Sequence, residues 1–274
     1  MKKYLSLLLL LTLVSCLYYD REKIVDKHRL AGYDYRLFQS TPAWDLAKAV
    51  QDGDVAKIRE IRNSNPELIN YQESKYGETL LMLTIFNRNY KSFQALLDNG
   101  ADVNIYDKFN GSSAIIKASS RNDVKYIKLL VEYGANVNDI QVGKRRPDCS
   151  VRWTPLIAAS RAGNFEVVKY LVENGADINY LNEDNETALS ESVIQDNYDI
   201  AYFLLKNGAN YRLPVIYRVD YSIPVEMIKT KEDTIPIYLD SFLNEPSGEF
   251  GIYQELYKRK IISFLKQKHF KSPR

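Results

Sequence analysis

Gly100-Ala101-Asp102-Val103-Asn104 recurs as Gly134-Ala135-Asn136-Val137-Asn138, as Gly175-Ala176-Asp177-Ile178-Asn179 and, shortened, as Gly208-Ala209-Asn210, at intervals of 34, 41 and 33 residues. A second marker keeps the same step: Thr79-Leu80-Leu81, Ser113-Ala114-Ile115, Thr154-Pro155-Leu156 and Thr187-Ala188-Leu189. Two markers locked in phase over four copies define a repeat. A period of this length belongs to stacked supersecondary units, each burying its apolar face against the next.

The clearest copy runs Trp153-Thr154-Pro155-Leu156-Ile157-Ala158-Ala159-Ser160-Arg161-Ala162-Gly163-Asn164, then Val167-Val168-Lys169-Tyr170-Leu171-Val172. Thr154 suits the cap of a first helix, and Pro155 at its first position brings a preset φ and no orphan N–H. Ala159 and Ser160 are small enough for helices to approach. Gly163 allows a tight turn, and Val167, Val168, Leu171 and Val172 fall at helical spacing. Gly175 closes the second helix. These residues resemble the ankyrin repeat, with its Thr-Pro-Leu start and Gly-Ala-Asp-x-Asn end. The resemblance implies an all-α solenoid of paired antiparallel helices with hairpin-like finger loops. It covers about five repeats within 41–212: 41–75, 76–109, 110–150, 151–185 and 186–212. The first, from Trp44 to Asn70, carries polar substitutions expected of an N-terminal cap.

The 41-residue interval holds some eight extra residues within 139–152, where an ankyrin frame places a finger. Lys144, Arg145, Arg146 and Arg152 lie there, and two readings stay open: a tolerated loop, or an arm that meets an acidic partner surface. Cys149 beside them reads as an incidental thiol. After Tyr211 the repeat stops. Residues 213–274 are expected to form a helical C-terminal capping region, with helices over 234–244 and 248–268. The apolar stripe Phe250, Ile252, Tyr253, Leu256, Tyr257, Ile261, Phe264, Leu265 suits a cap on the last repeat. The alternative is a basic amphipathic helix on anionic lipid or a partner.

At the other end, Lys2 and Lys3 precede an apolar run from Leu5 to Val14, too short for a bilayer core that takes ~20 residues but suited to a secretory signal. Leu13-Val14-Ser15-Cys16 resembles the bacterial lipobox. That resemblance implies cleavage of a signal peptide, 1–15, and a lipoprotein carrying lipid, palmitate included, on Cys16. Leu17 stands where an Asp would favour the inner membrane, so the expected location is the bacterial cell envelope, with the outer membrane preferred. Residues 16–40 then read as a polar tether with a reach of roughly 25–30 Å if it is a free coil. Packing of its tyrosines on the first repeat is the open alternative.

The 274 residues carry 37 basic and 35 acidic side chains, and loss of Lys2 and Lys3 with the signal would leave 35 of each. A neutral chain without a clustered basic face is no general nucleic-acid binder. Two cysteines cannot build a disulfide framework, and the two histidines, His28 and His269, fall outside the repeats. No nucleophile elbow, metal-binding helix or phosphate loop occurs, so the expectation is no enzyme, no cofactor and no metal. What remains is a monomeric membrane-anchored protein-protein interaction module. Carried onto this chain, the ankyrin contact positions are Tyr106, Phe109, Tyr180 and Asn182 in fingers, and Phe86, Asn87, Arg121, Arg161 and Gln195 on helices. The protein partner of such an envelope module could be a toxin, making this an immunity or inhibitor protein, or a periplasmic enzyme held by a scaffold. An enzyme completed by 213–274 is the third alternative.

Overall fold

The computed structural model describes residues 21–143, 152–219, 234–244 and 252–268. Cys16, Lys144, Arg145, Arg146 and Cys149 lie outside the described residues. The chain divides into two compact units, Met1–Asp102 and Val103–Arg274.

In the first unit, two helix pairs follow one another: α1 (Trp44–Asp52) with α2 (Val55–Ser64), and α3 (Leu80–Phe86) with α4 (Tyr90–Asp98). Three of these helices start where the sequence supplies a side-chain acceptor for their orphan N–H groups, α1 having Ala43 at its cap position instead. Asp54 caps α2, Thr79 caps α3 and Asn89 caps α4. Asn89 does a second job, donating its amide to the Val50 carbonyl at 2.7 Å, which the Ser92 hydroxyl also reaches at 2.6 Å. The second pair is thus bonded to the turn of the first. Leu46, Val50, Ile58, Leu80, Leu83, Phe93 and Leu96 fill the space between them, each no more than 1% exposed.

Residues 21–40 are folded rather than a free tether. Short 3-10 turns at Lys27–Arg29 and Tyr35–Phe38 are capped by Asp26 and Asp34. Leu37 and Phe38 are wholly buried, worth roughly 1.5–3 kcal/mol each against exposure. Buried Gln39 donates to the carbonyls of Arg21 (2.9 Å) and Lys23 (3.0 Å), and the Arg21 guanidinium meets Asp52 at 2.6 Å. Tyr35 is buried, whereas Tyr33 stays 58% exposed, so only part of the tyrosine set packs.

The second unit continues the pattern with α5 (Ala114–Ser119), α6 (Val124–Glu132), α7 (Pro155–Arg161), α8 (Phe165–Glu173), α9 (Ala188–Ile194) and α10 (Tyr198–Lys206). First helices stack on first helices, α5 on α7 on α9, and second on second, α6 on α8 on α10. Thr154 caps α7 at 3.2 Å, and Thr187 forms a capping box with Ser190 on α9. Asn164 and Asn197, opening α8 and α10, donate to the carbonyls of Ser119 (2.8 Å) and Ser160 (2.9 Å) one repeat back. The Asn of the Gly-Ala-Asp-x-Asn marker bridges forward. Asn138 accepts from Asp177 N at 2.7 Å and donates to Gly175 O at 3.0 Å, and Asn179 does the same to Asn210 and Gly208.

Beyond Tyr211 the expectation of an all-helical cap needs correcting. Pro214–Val219 (β1) and Thr234–Tyr238 (β2) form an antiparallel pair, with Tyr217 opposite Pro236, so 234–238 is strand where helix was expected. Thr-Ile-Pro-Ile-Tyr has the β-branched and aromatic content of a strand. Proline is tolerated because a two-stranded ladder leaves one side of each strand unpaired. Then α11 (Leu239–Asn244) and α12 (Ile252–Gln267) follow, β1 lying on α9 and α12 on α10. Ile261 and Leu265 are buried there, and Tyr257 and Phe264 meet Tyr202 and Tyr211 edge-on at 6.1 and 6.0 Å. This part of the stripe covers the last helix pair, while Tyr253 and Leu256 stay exposed. Lys258, on the same helix, is only 9% exposed.

Candidate functional site

Between the helix pairs, the chain makes fingers, and each is closed by a buried acceptor. Glu73 accepts the backbone N–H groups of Lys75, Tyr76 and Glu78. Asp107 takes those of Phe109, Asn110, Gly111 and Ser112. Gln141 takes that of Trp153 at 2.9 Å, and Asn182 those of Asp184 and Glu186. All four residues are at most 6% exposed. From acceptor to helix cap is six residues at Glu73–Thr79 and Asp107–Ser113 and five at Asn182–Thr187, but 13 at Gln141–Thr154. The extra residues therefore enter after Gln141.

The finger after Val103 carries the tightest construction. The Lys117 ammonium reaches the Asp107 carboxylate at 2.8 Å, with the two side chains 10% and 0% exposed. Four N–H groups and an ammonium around one carboxylate fix the turn that bears Phe109, which projects and is 46% exposed. Gly111 has φ +69°, and a Cβ there would collide with the backbone of Gly143 in the next finger. Only glycine fits both the left-handed conformation and the close approach, and Val142 N donates to Gly111 O at 2.9 Å across the gap. Tyr106 is half-buried and gives its O–H to Asp139 at 2.6 Å, which, with burial, pushes the phenol up to about 12. Ser113 donates to the same carboxylate instead of capping α5. Tyr106 is thus a strut between successive fingers more than a free contact.

On the helix side, Arg161 ends α7 with its guanidinium 5.2 Å over the Trp153 ring and one N–H on Glu191 of α9 at 2.7 Å. Glu191 is 1% exposed, and burial holds its carboxyl above the ordinary range while Arg161 draws it back. Arg152 and Glu183 approach at 3.5 Å, an exposed pair of small energetic weight. Tyr180, raised by burial and by Glu183, stands half-buried nearby. Gln195 is exposed just past α9, and Arg121 is half-buried just past α5.

In the first unit, Phe86 is half-buried at the end of α3. Asn87 is exposed, yet its amide is occupied, donating to Tyr33 O at 2.8 Å and Leu83 O at 2.9 Å. It holds the 21–40 segment in place.

Asn182, expected to face outward, is corrected: at 4% exposure its side chain fills its own turn, because two backbone N–H groups there would otherwise lack acceptors. Sequence reasoning passed over Trp153 and Glu191, whose partner Arg161 it had found, and the exposed Val142 (54%) and Leu181 (43%). Apolar residues in a finger are the signal that could have found the last two. Among the described residues, no group of three His, Cys, Asp or Glu side chains is placed to hold a metal, and no helix is long and apolar enough to cross a membrane.

A family model described as ankyrin repeats in three copies matches residues 46–141 and 142–214. An ankyrin repeat protein of Acanthamoeba polyphaga mimivirus is 33% identical over 110 residues, 39% of this chain and 14% of the viral protein. One from fowlpox virus, strain NVSL, is 32% identical over 94 residues, 34% of this chain and 21% of its own length. The rat ankyrin repeat and SAM domain-containing protein 6 is 28% identical over 93 residues, 34% of this chain and 10% of its own. The chain thus spans about a fifth or less of these relatives.

Proposed function

Because the chain belongs to the ankyrin-repeat family, whose arrays are protein-protein interaction modules, we propose that it captures a protein partner at a bacterial membrane surface, held there by lipid on Cys16. One observation carries the binding side of this reading. Three successive fingers of the second unit each leave a large apolar side chain exposed, Phe109, Val142 and Leu181, on turns closed by buried acceptors. Apolar side chains left exposed on closed turns are a mark of an interaction surface. Trp153 and Arg161, stacked on one another, add two of the residue types most enriched at binding hot spots. Arg152 and the basic run Lys144-Arg145-Arg146 give the finger after Gln141 a cationic character suited to an acidic partner surface. The array works without chemistry of its own and without a cofactor, as a monomer that binds protein and not nucleic acid.

The anchor is supported by order and spacing: basic Lys2 and Lys3, an apolar run, and Leu13-Val14-Ser15-Cys16. With Leu17 after the cysteine, the outer membrane is its place. Of the partner classes, a toxin neutralised at the envelope fits a binder with no catalytic machinery, and a scaffold for a periplasmic enzyme is the alternative. A photo-crosslinker placed at Phe109 should give one discrete adduct in envelope preparations, and the same probe at exposed Glu132 none. Equal labelling from both positions, or none from Phe109, would refute the finger surface. Sensitivity of a deletion strain to the captured protein separates the toxin reading from the scaffold.

A further inference from the structure

Building on the lipidation of Cys16 proposed above, we infer that the first unit also touches the membrane directly, through an anionic-lipid contact made by Ile24 and the cations beside it. The folded part begins no later than Arg21, whose side chain is fixed to Asp52 and whose carbonyl accepts from Gln39. Five chain steps separate Cys16 from Arg21, at most about 18 Å of fully extended chain. A lipid on Cys16 therefore keeps Arg21 and its neighbours beside the headgroups, where a free 25-residue coil would have let the body drift away.

What lies there is suited to that position. Ile24 is 81% exposed, the highest value for a large apolar side chain among the described residues. Lys23 and Arg29 are exposed and Lys27 half-buried. Arg29 is 88% exposed, its contact to Asp26 at 3.7 Å being a solvent-facing pair of little weight. Glu22 is taken up by Lys48 at 3.5 Å and by the Trp44 indole at 3.4 Å. With Arg21 held by Asp52 and Glu22 by Lys48, the stretch still offers three cations, Lys23, Lys27 and Arg29, against the one carboxylate of Asp26. An apolar side chain entering the interface while neighbouring cations meet phosphates is the pattern of a peripheral lipid contact, and it supplies the second signal that strengthens an anchor.

The test uses the lipidated mature protein, reconstituted in vesicles of phosphatidylethanolamine and phosphatidylglycerol. An environment-sensitive fluorophore is placed by Ile24→Cys in a Cys149→Ser background, with Arg59→Cys on α2 as control. The fluorophore at position 24 should emit as in an apolar medium and be quenched by a lipid-borne quencher, and the control should do neither. Lys23→Glu with Lys27→Glu should weaken the contact about thirtyfold or more, read as loss of that quenching, and phosphatidylcholine in place of phosphatidylglycerol should weaken it too. Aqueous emission from position 24, in protein whose mass shows a lipidated Cys16, would overturn the contact and leave the anchor standing. Apolar emission that persists in the lipid-free mature chain without vesicles would mean that protein covers Ile24, and would also overturn it. An unlipidated Cys16 would remove the anchor, and this inference with it.

Discussion

Replacing Asp107 by Asn exchanges one oxygen for a nitrogen and should unlatch the finger that presents Phe109. The carboxylate receives four backbone N–H groups, three on Oδ1 and one on Oδ2, and Oδ2 also faces the Lys117 ammonium at 2.8 Å. An amide keeps one acceptor. Its NH2 would then confront Ser112 N–H and the ammonium, donor against donor, with the Lys117 side chain 10% exposed. Removing one partner of a buried pair costs about 3–5 kcal/mol. With a urea slope of about 2–3 kcal/mol per M, the unfolding midpoint should fall by about 1–2.5 M. Lys117→Met alone should also destabilise, and the double variant should lose less than the two singles together, by about 1–3 kcal/mol. Urea titrations followed by circular dichroism give these numbers. Hydrogen exchange at Phe109 to Ser112 shows whether the loss is local. A midpoint shift below about 0.3 M, or additivity of the two singles, would refute the latch.

Phe38→Ala should cost about 3–5 kcal/mol, since the ring is wholly buried against Tyr71 at 6.2 Å; limited proteolysis should then cut within 21–40, and resistance there would contradict the packing described. Gly111→Ala and Gly134→Ala both force alanine to positive φ, but nothing lies within 4 Å of a Cβ at Gly134. The first should therefore lower thermal stability clearly more than the second, and equal losses would count against the contact between fingers. Burial raises Glu191 above its ordinary value of 4.5, with Arg161 opposing. As pH rises past that value the unfolded chain ionises first, so the wild type should lose stability through the window just above it. Glu191→Gln should flatten that loss and Arg161→Ala should extend it to higher pH. Denaturant titrations from pH 4 to 7 decide this, and parallel curves for all three proteins would exclude the buried carboxylate as their cause.

What the sequence discloses depends on how many residue types can do a given job. Capping α7 or α9 needs a short hydroxyl or carboxylate, and ending a helix in the left-handed region needs glycine, so Thr154, Thr187 and Gly175 stand out as a repeating spelling. Accepting N–H groups in a finger can be done by any side chain with an oxygen at the right height. Glu73, Asp107, Gln141 and Asn182 do it with four identities, and their common step becomes visible only once the bonds are known. The same permissiveness explains the reading of Asn182 as an outward contact. Residues 21–40 show no period because 3-10 turns and the Gln39 and Asn87 hydrogen bonds hold them without one. In β2, Pro236 masked a strand that only its pairing with Tyr217 reveals. Within the candidate surface, Phe109 was legible as an aromatic in a finger, whereas the joining of Trp153, Arg161 and Glu191 depends on helix stacking across 30 residues. The hidden acceptors are also what makes the visible residues useful. A finger already closed on a buried carboxylate offers Phe109 to a partner with little left to order on binding. Loosening Asp107 should thus weaken capture even though the side chain at 107 never meets the partner.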